Sequence, residues 1–226
     1  MLRAPDHAHR ARRHIPTVLA AGLGASLASV FLFGKLSEEV LERESLALDT
    51  EVIARARAMN SPTADRIFSL LTATGEPWAL GAAGSLVVLR WRAEARAADA
   101  VVFALALLGG GAANQILKLV FRRDRPPLQL RRAHASSYSF PSGHAMTTLA
   151  TYGTLAYLVS RRGGLTGHPA ARLIWAPILL FCGLVGWSRI YLEVHYPTDV
   201  LGAWAAGTVW VTTCGIARNF MEPEEQ

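Results

Sequence analysis

The stretch AADAVVFALALLGGGAANQILKLVF, residues Ala97–Phe121, decides the class of fold. It is almost continuously apolar, and a helix of its length crosses the hydrocarbon core of a bilayer, which takes about 20 residues. Five further runs have a similar character: Ile15–Gly34, Arg66–Leu89, Ser142–Ser160, Ala171–Tyr191 and Thr198–Ala217. The sequence therefore predicts an all-α, polytopic membrane protein in which six transmembrane helices form a bundle.

The second of these runs is interrupted, and the segment before it is polar. Glu76–Pro77 breaks Arg66–Leu89, which favours a helix that is kinked or that enters along the membrane interface. Glu76 is then either a carboxylate at headgroup level or a functional acid within the membrane. The preceding segment, Lys35–Asp65, is rich in acidic residues but carries an apolar stripe at helical spacing. It predicts an amphipathic interfacial helix between the first two spans.

The charge of the chain fits a membrane protein better than a nucleic-acid-binding one. The 226 residues carry a formal net charge of +6, and the sequence pI is about 9.9. A nucleic-acid-binding protein spreads its basic residues over one soluble face, whereas here the arginines cluster at the ends of apolar runs. Cys182 and Cys214 lie inside apolar runs, so neither a disulfide nor a metal site is expected from them.

Loop charge predicts the orientation of the chain in the cell inner (plasma) membrane. The N-terminus, residues 1–14, and the loops after the second and fourth spans are rich in arginine, which places them in the cytoplasm by the positive-inside rule. Both termini are then cytoplasmic, with a six-helix membrane domain at residues 15–217 and a short tail at residues 218–226. The first apolar run resembles a signal peptide but lacks a small-residue cleavage site, so we expect a retained span.

Three segments carry side chains suited to chemistry. They read KLVFRRDRP at residues 118–126, FPSGH at residues 140–144 and SRIYLEVHYPTD at residues 188–199. Taken singly, each has an ordinary explanation. Lys118 can extend to the interface, Ser142 can cap the helix that follows, and a histidine and an aspartate four residues apart can be a surface pair.

Taken together, the three segments favour a phosphate site. The orientation derived from loop charge brings them to one outer face, where they supply arginines, a lysine, two histidines and a helix N-terminus. Phosphoryl transfer needs several fixed donors around the developing charge. The outer loop also holds a basic cluster that the positive-inside rule does not explain: Arg122, Arg123, Arg125, Arg131 and Arg132. This cluster binds either anionic lipid headgroups or a substrate phosphate.

The order KxxxxxxRP, PSGH and SRxxxxxHxxxD resembles the signature of the type 2 phosphatidic acid phosphatase family, in a superfamily that includes vanadium haloperoxidases. Every signature position is filled: Lys118, Arg125, Pro126, Pro141, Ser142, Gly143, His144, Ser188, Arg189, His195 and Asp199. One motif alone is weak evidence, but three in the right order are specific. With the six spans, the resemblance to the membrane branch covers nearly the whole chain.

The resemblance implies a role for each of these side chains. His195 attacks phosphorus and forms a phosphohistidine, Asp199 fixes the tautomer of His195, and His144 protonates the leaving group and then activates water. The residues that bind the substrate phosphate are Lys118, Arg125, Ser142, Gly143 and Arg189. Arg122 and Arg123 are candidates for binding the second phosphate of a diphosphate. No metal or other cofactor is implied, and two nearby residues have no predicted role: Glu193 and His134.

The implied activity is hydrolysis of a lipid phosphate at the outer membrane-water interface. Undecaprenyl diphosphate is the favoured substrate, followed by phosphatidylglycerol phosphate and phosphatidic acid. A phosphotransferase with a lipid phosphate donor would use the same motifs and stays open. The membrane spans disfavour a haloperoxidase-like oxidoreductase, and the intact catalytic residues disfavour a non-catalytic lipid-binding relative. The expected partners are the lipid substrate and the bilayer, with no nucleic acid; the sequence predicts no oligomeric state.

Overall fold

Helices make up most of the computed structural model, which describes residues 7–135 and 137–221, with side chains described from residue 20 onward. The nine α-helices of these residues are α1 His7–Leu41, α2 Leu46–Ala58, α3 Pro62–Ala73, α4 Pro77–Ala93, α5 Ala97–Ala104, α6 Gly110–Phe121, α7 Gly143–Arg162, α8 Arg172–Tyr191 and α9 Pro197–Phe220. A π-helical turn, Leu105–Gly109, joins α5 to α6. Short 3-10 helices lie at Leu128–Leu130 and Pro169–Ala171, and no strand occurs in the described ranges.

Four helical segments are long and apolar enough to cross a membrane. They are Ala20–Leu41, Ala97–Phe121, Pro169–Tyr191 and Pro197–Phe220. Their outer surfaces expose large apolar side chains, among them Leu27, Phe31, Leu108 and Leu180. Contiguous apolar surface of this kind is suited to lipid rather than to water. The chain is therefore an all-helical membrane protein.

The predicted second span, Arg66–Leu89, is wrong as a single helix. α3 ends at Ala73 and α4 begins at Pro77. Glu76, the residue before the proline, is extended, with φ −66° and ψ 144°. Proline lacks an N–H group and forces the preceding residue out of the helical conformation, so the break falls at Glu76–Pro77. Only the 17-residue α4 then runs through the bundle beside α5.

The predicted fourth span corresponds to α7, which is not among the four segments that qualify by length and composition. α7 packs against α6, α8 and α9 and lies at the centre of the bundle. Its buried residues include Thr148, Thr151 and Thr154. A helix that neighbouring helices surround needs no apolar surface for lipid, which explains its low hydropathy.

Small residues bring the helices that carry the third motif close together. A Cβ atom added at Gly186 of α8 would lie 2.5 Å from the ring of Trp204 in α9. A Cβ atom at Gly202 of α9 would lie 2.5 Å from the ring of Phe140, just before α7. Because ring and backbone meet at these points, the end of α8, the start of α9 and the start of α7 are held in a fixed arrangement.

The acid-rich segment between the first two predicted spans forms the end of α1, then α2 and the start of α3. α1 continues past Gly34 to Leu41, and α2 covers Leu46–Ala58. The predicted apolar stripe consists of Val52, Ile53, Ala56 and Met59. Of these, Ile53 and Ala56 are buried, but the third buried residue of α2 is Asp49. α1 is already helical at His7 and α9 runs to Phe220; residues 1–6 and 222–226, which belong to the predicted N-terminal segment and tail, lie outside the described residues.

Candidate active site

The three motif segments meet at one end of the bundle, around a cavity of about 560 Å³. The end of α6 brings the first motif, the start of α7 the second, and the connection from α8 to α9 the third. Six of the predicted site residues line this cavity: Lys118, Arg125, Gly143, His144, Arg189 and His195. Ser142, Asp199, Arg122 and Arg123 do not line it, and Asp199 lies directly behind His195.

His195 presents one ring nitrogen to the cavity. Its Nδ1 atom lies 3.2 Å from Asp199 Oδ2, and its Nε2 atom lies 3.0 Å from Arg125 Nη1. A guanidinium group only donates hydrogen bonds, so Nε2 is the acceptor and the ring proton is on Nδ1. Burial lowers the pKa of His195 below its ordinary value and Arg125 adds to this effect, although the hydrogen bond to Asp199 opposes it. The imidazole is therefore neutral at physiological pH, with a lone pair on Nε2.

Both carboxylate oxygens of Asp199 are held in place. Besides His195, Oδ2 accepts hydrogen bonds from the backbone N–H of Tyr196, at 2.8 Å, and from the hydroxyl of Ser139. Oδ1 accepts a hydrogen bond from Arg123 Nη1 at 2.7 Å. Asp199 is fully buried, and a buried carboxylate with this many donors is held in its ionised form and in one orientation.

The two cations of the first motif are held by neutral oxygens. Lys118 Nζ donates to Ser137 Oγ at 2.9 Å and to the carbonyl of Tyr138 at 2.7 Å. Arg125 donates from Nε to the carbonyl of Ser137 at 2.6 Å and from Nη1 to the carbonyl of Val194 at 2.7 Å. Burial lowers the pKa of Arg125 to about 10, so its guanidinium remains protonated at neutral pH.

Arg189, from the third motif, is buried beside them. Its Nη1 atom donates at 2.5 Å to Oγ1 of Thr72, which is the buried residue of α3. Its Nε atom is buried and has no hydrogen-bond partner within the described residues. None of the three cations forms an ion pair with a carboxylate of the described residues. The cavity therefore concentrates positive charge that an anion would neutralise.

His144 and Glu76 lie next to each other on the wall of the cavity. His144 is the second residue of α7, and its Nε2 atom lies 3.3 Å from Glu76 Oε1. Glu76 reaches this position because the helix breaks at Pro77, so that α4 begins at the cavity. Its side chain is partly exposed, at 37%. The sequence left two interpretations of Glu76 open, and its contact with His144 favours the functional one.

The start of α7 offers backbone N–H groups to the cavity. Gly143 is the first residue of the helix, and a Cβ atom there would lie 3.1 Å from Asn114 Oδ1. Because glycine has no side chain, the N–H groups of the first helical turn stay accessible to an anion. Ser142 is fully buried; its N–H donates to the carbonyl of Asp199 at 3.0 Å, which ties the second motif to the third.

Arg122 and Arg123 are not arranged as the predicted second phosphate site. Arg122 ends α6 in a left-handed conformation, with φ 45°, and its Nε atom donates to the carbonyl of Leu119. Arg123 is paired with Asp49 and Asp199. Neither arginine reaches the cavity, and Arg123 is already neutralised by carboxylates, so the geometry does not favour a second phosphate site at these two residues.

Two other residues of the loops around the site have no role predicted from the sequence. Glu193 is buried, with φ 56°, and forms an ion pair with Arg57 of α2. His134 is exposed at the rim of the cavity. In the described part of the chain, no three His, Cys, Asp or Glu side chains are grouped in a way that could hold a metal ion.

Several residues around the site were not anticipated from the sequence. Asn114 donates from Nδ2 to the carbonyl of Pro141, and its position one helical turn before Lys118 was the available signal. Ser139 contacts Asp199, and Thr72 contacts Arg189. Neither has a motif position, and Thr72 lies far from Arg189 in the sequence, so no local pattern pointed to them.

The fold and the site define a class: an integral membrane protein with a cationic cavity that contains histidines. The chain belongs to the PAP2 superfamily, whose family model matches residues 99–220. This match includes all three motifs. The family assignment therefore agrees with the resemblance seen in the sequence.

Individual relatives match over shorter segments. Over 98 residues the chain is 43% identical to phosphatidylglycerophosphatase B of Bacillus subtilis. The aligned segment covers 42% of this chain and 45% of that protein. Over 100 residues it is 33% identical to undecaprenyl-diphosphatase BcrC of Bacillus subtilis. This alignment covers 42% of this chain and 46% of that protein. The chain thus spans about half the length of these curated relatives.

A solved structure shares the fold. It is the crystal structure of the first transmembrane PAP2 type phosphatidylglycerolphosphate phosphatase from Bacillus subtilis, with a TM-score of 0.80 at 23% sequence identity. The superposition covers 88% of this chain and 98% of that one. The likeness extends beyond the motif region to most of the described helices.

Replacing Arg125 with alanine should weaken the binding of inorganic phosphate. A hydrogen bond to a charged group is worth about 1.5–3 kcal/mol, so the expected loss in affinity is roughly 10- to 150-fold. Isothermal titration calorimetry on the detergent-purified protein measures it. Arg122→Ala is the matched control, because it removes the same charge from the same loop without touching the cavity, and it should bind phosphate as the wild type does. Equal weakening in both variants would contradict the assignment of Arg125.

Proposed function

We propose that the protein is an integral membrane phosphatase that hydrolyses a lipid phosphate ester through a phosphohistidine on His195. The observation that carries this proposal is the cavity, which joins buried cations and two histidines at one end to an apolar wall at the other. Such a cavity has donors for a phosphate and a surface for a lipid chain. The names of the curated relatives, both phosphatases, support the same reaction class.

The apolar wall of the cavity supports a lipid substrate. It is formed where α4 faces the π-helical turn and α6, by Leu80, Gly81, Leu107, Leu108, Gly111 and Ala112. Leu108 is also 72% exposed on the outside of the bundle, where acyl chains would lie. A lipid can therefore place its phosphate among the cations while its chain leaves the cavity between α4 and α6, without passing through water.

The first step of the proposed reaction is transfer of the phosphoryl group to His195. The Nε2 lone pair attacks phosphorus while the bond from phosphorus to the lipid oxygen breaks in line. Asp199 keeps the proton on Nδ1 and stabilises the positive charge that the ring acquires. His144 gives a proton to the leaving oxygen, which departs as the lipid alcohol. Glu76 lies beside the same Nε2 atom, without a hydrogen bond to it, so that its carboxylate stabilises the protonated ring that this step requires.

The second step is hydrolysis of the phosphohistidine. The neutral His144 removes a proton from a water molecule, whose oxygen attacks phosphorus as the bond to Nε2 breaks. Inorganic phosphate is released, and the electron pair returns to Nε2 of His195. In both steps Lys118, Arg125, Arg189 and the N–H groups at the start of α7 bind the equatorial oxygens, where charge accumulates.

The residues beside His144 favour a phosphomonoester over a diphosphate, which revises the preference for undecaprenyl diphosphate drawn from the sequence. Atoms beyond the leaving oxygen lie next to His144 and therefore next to Glu76. A diphosphate would place its second phosphate beside this carboxylate, and like charges repel. An alcohol leaving group with a free hydroxyl, as in phosphatidylglycerol phosphate, would instead donate a hydrogen bond to Glu76. The identity to phosphatidylglycerophosphatase B supports this choice.

We further propose six membrane crossings, by α1, α4, α5 with α6, α7, α8 and α9, in the cell inner membrane. α2 and α3 would then lie on the outer surface, with the exposed Leu48 and Met59 at the interface. α4 spans roughly 25 Å, and an interfacial tryptophan, Trp78, and Arg90 mark its two ends. The end of the bundle opposite the cavity carries Arg90, Arg92 and Arg162, and the positive-inside rule therefore supports a cytoplasmic position for this end and for both termini.

Phosphate release from lipids tests the proposed function. Detergent-purified protein, with EDTA present, should release phosphate from phosphatidylglycerol phosphate faster than from phosphatidic acid, undecaprenyl diphosphate or a soluble phosphomonoester. His195→Gln, which fills most of the buried volume of the imidazole, should lose all measurable turnover while the protein still unfolds cooperatively in detergent. No release from any lipid by folded wild-type protein would overturn the phosphatase proposal.

Glu76→Gln should change the choice between substrates. The variant keeps the size of the side chain but removes its charge, so the ratio of kcat/KM for undecaprenyl diphosphate to that for phosphatidylglycerol phosphate should rise on the order of tenfold. Parallel assays on one preparation give this ratio independently of the fraction of folded protein. Glu42→Gln removes the same charge from an exposed position on the same side of the bundle, and its ratio should stay at the wild-type value. An unchanged ratio in Glu76→Gln would remove Glu76 from substrate selection.

A further inference from the structure

Asp49 is a buried carboxylate outside the motifs, and both of its oxygens are occupied. It lies on α2 and is 1% exposed. Oδ1 accepts a hydrogen bond from the backbone N–H of Thr198 at 3.0 Å, and Oδ2 accepts one from Thr198 Oγ1 at 2.7 Å. Thr198 is the second residue of α9, so its N–H is one of those that a helix leaves without an internal partner. Asp49 thus fixes the start of α9 from a different helix.

Arg123 connects Asp49 to the catalytic aspartate. Its Nη2 atom donates to Asp49 Oδ2 at 2.6 Å, and its Nη1 atom donates to Asp199 Oδ1 at 2.7 Å. The guanidinium also stacks on the ring of Tyr196, 4.3 Å from the ring centroid. Arg123 is therefore held between two carboxylates, and its side chain is only 10% exposed.

We infer that Asp49 is a positioning residue, which acts through Arg123 to hold Asp199 in the orientation that His195 requires. The inference rests on the proposed function of His195 as the nucleophile. Asp49 touches neither the cavity nor His195, so it is not a catalytic residue. Its effect is carried along four side chains in series: Asp49, Arg123, Asp199 and His195.

The geometry shows why a second carboxylate is needed. A guanidinium group prefers to bind one carboxylate with two parallel hydrogen bonds. If Asp49 were absent, Arg123 would turn both of its Nη atoms toward Asp199 and compete with His195 for Oδ2. Because Asp49 holds Nη2, only Nη1 reaches Asp199, and it binds Oδ1. Oδ2 then keeps its other donors, which are the Nδ1–H group of His195, the N–H group of Tyr196 and the hydroxyl of Ser139.

A second ion pair on α2 provides a matched control. Arg57 donates from Nε to Oε2 of Glu193 at 3.1 Å. Glu193 lies two residues before His195. This pair also attaches α2 to the loop between α8 and α9, but Arg57 does not contact Asp199 or Arg123. A variant that loses this pair therefore reports the effect of loosening α2 without disturbing the orientation of Asp199.

The first test is kinetic. Asp49→Asn places an amide N–H₂ group against Arg123 and should lower kcat by roughly 10- to 100-fold, with KM changed by less than about threefold. Arg57→Gln should keep kcat within about threefold of the wild type. In an Asp199→Asn background, Asp49→Asn should cause no further loss, because it acts through Asp199. A wild-type kcat in Asp49→Asn, an equal loss in Arg57→Gln, or additive losses with Asp199→Asn would each overturn the inference.

The second test does not depend on turnover. In protein labelled with ¹⁵N-histidine, the proton on Nδ1 of His195 should give a downfield resonance, assigned by its absence in His195→Gln. Asp49→Asn should shift or broaden this resonance, and Arg57→Gln should leave it unchanged. An unchanged resonance in Asp49→Asn would refute the positioning role, even if the wild-type protein releases no phosphate from lipids.

A third variant covers a failure of Asp49→Asn to fold. Arg123→Lys keeps the positive charge, but a single ammonium group cannot span both carboxylates in the plane that the guanidinium uses. It should show the same loss in kcat and the same change in the His195 resonance. Wild-type values for both measurements would again contradict the inference.

Discussion

Burial of like charges is the constraint on which this end of the molecule depends. Lys118, Arg125 and Arg189 lie in one cavity, largely out of water, and none of them forms an ion pair with a carboxylate of the described residues. Removing such charges from water is costly unless they are paired or well hydrogen-bonded. Here carbonyl and hydroxyl oxygens supply the hydrogen bonds, but they do not neutralise the charge. The folded protein is therefore prepared for a dianion, and a bound phosphate would provide the missing counter-charge.

Most other carboxylates at this end of the bundle lie away from the cavity. Asp49 and Asp199 are paired with Arg123, Glu193 is paired with Arg57, and Asp65 is paired with Arg132. These pairs involve arginines that do not line the cavity, and they fasten α2, α3 and the loops to one another. Among the arginines between α6 and α7, Arg125 thus binds neutral oxygens at the site, whereas Arg123 and Arg132 bind carboxylates around it. Glu76 is the exception, and its position beside His144 is the basis of the proposal that it selects the leaving group.

Much of this arrangement was predictable because it depends on local sequence patterns, namely apolar runs and short motifs. Apolar runs predicted the helices α1, α6, α8 and α9. Loop charge and the resemblance of the three motifs to a known family predicted that Lys118, Arg125, His144, Arg189 and His195 would meet. The break at Glu76–Pro77 was visible, but its result was not, because two helices and one kinked helix have the same sequence pattern. The role of Arg123 was misjudged for a related reason: a basic cluster in a loop does not reveal which arginine has a carboxylate partner. Asp49 lies 74 residues from Arg123, and only the folded chain brings the two together.

The central claim is that His195 carries the phosphoryl group between the two steps, and capture of that intermediate tests it most directly. The purified protein would be mixed with lipid phosphate, denatured in alkaline detergent, in which phosphohistidine survives, and digested for peptide mass spectrometry. The account predicts one added phosphoryl group on His195, absent in His195→Gln and absent from His144. Turnover without any phosphorylated residue, or with the phosphoryl group on another side chain, would contradict the account, because water would then attack the lipid phosphate directly or a different nucleophile would do so.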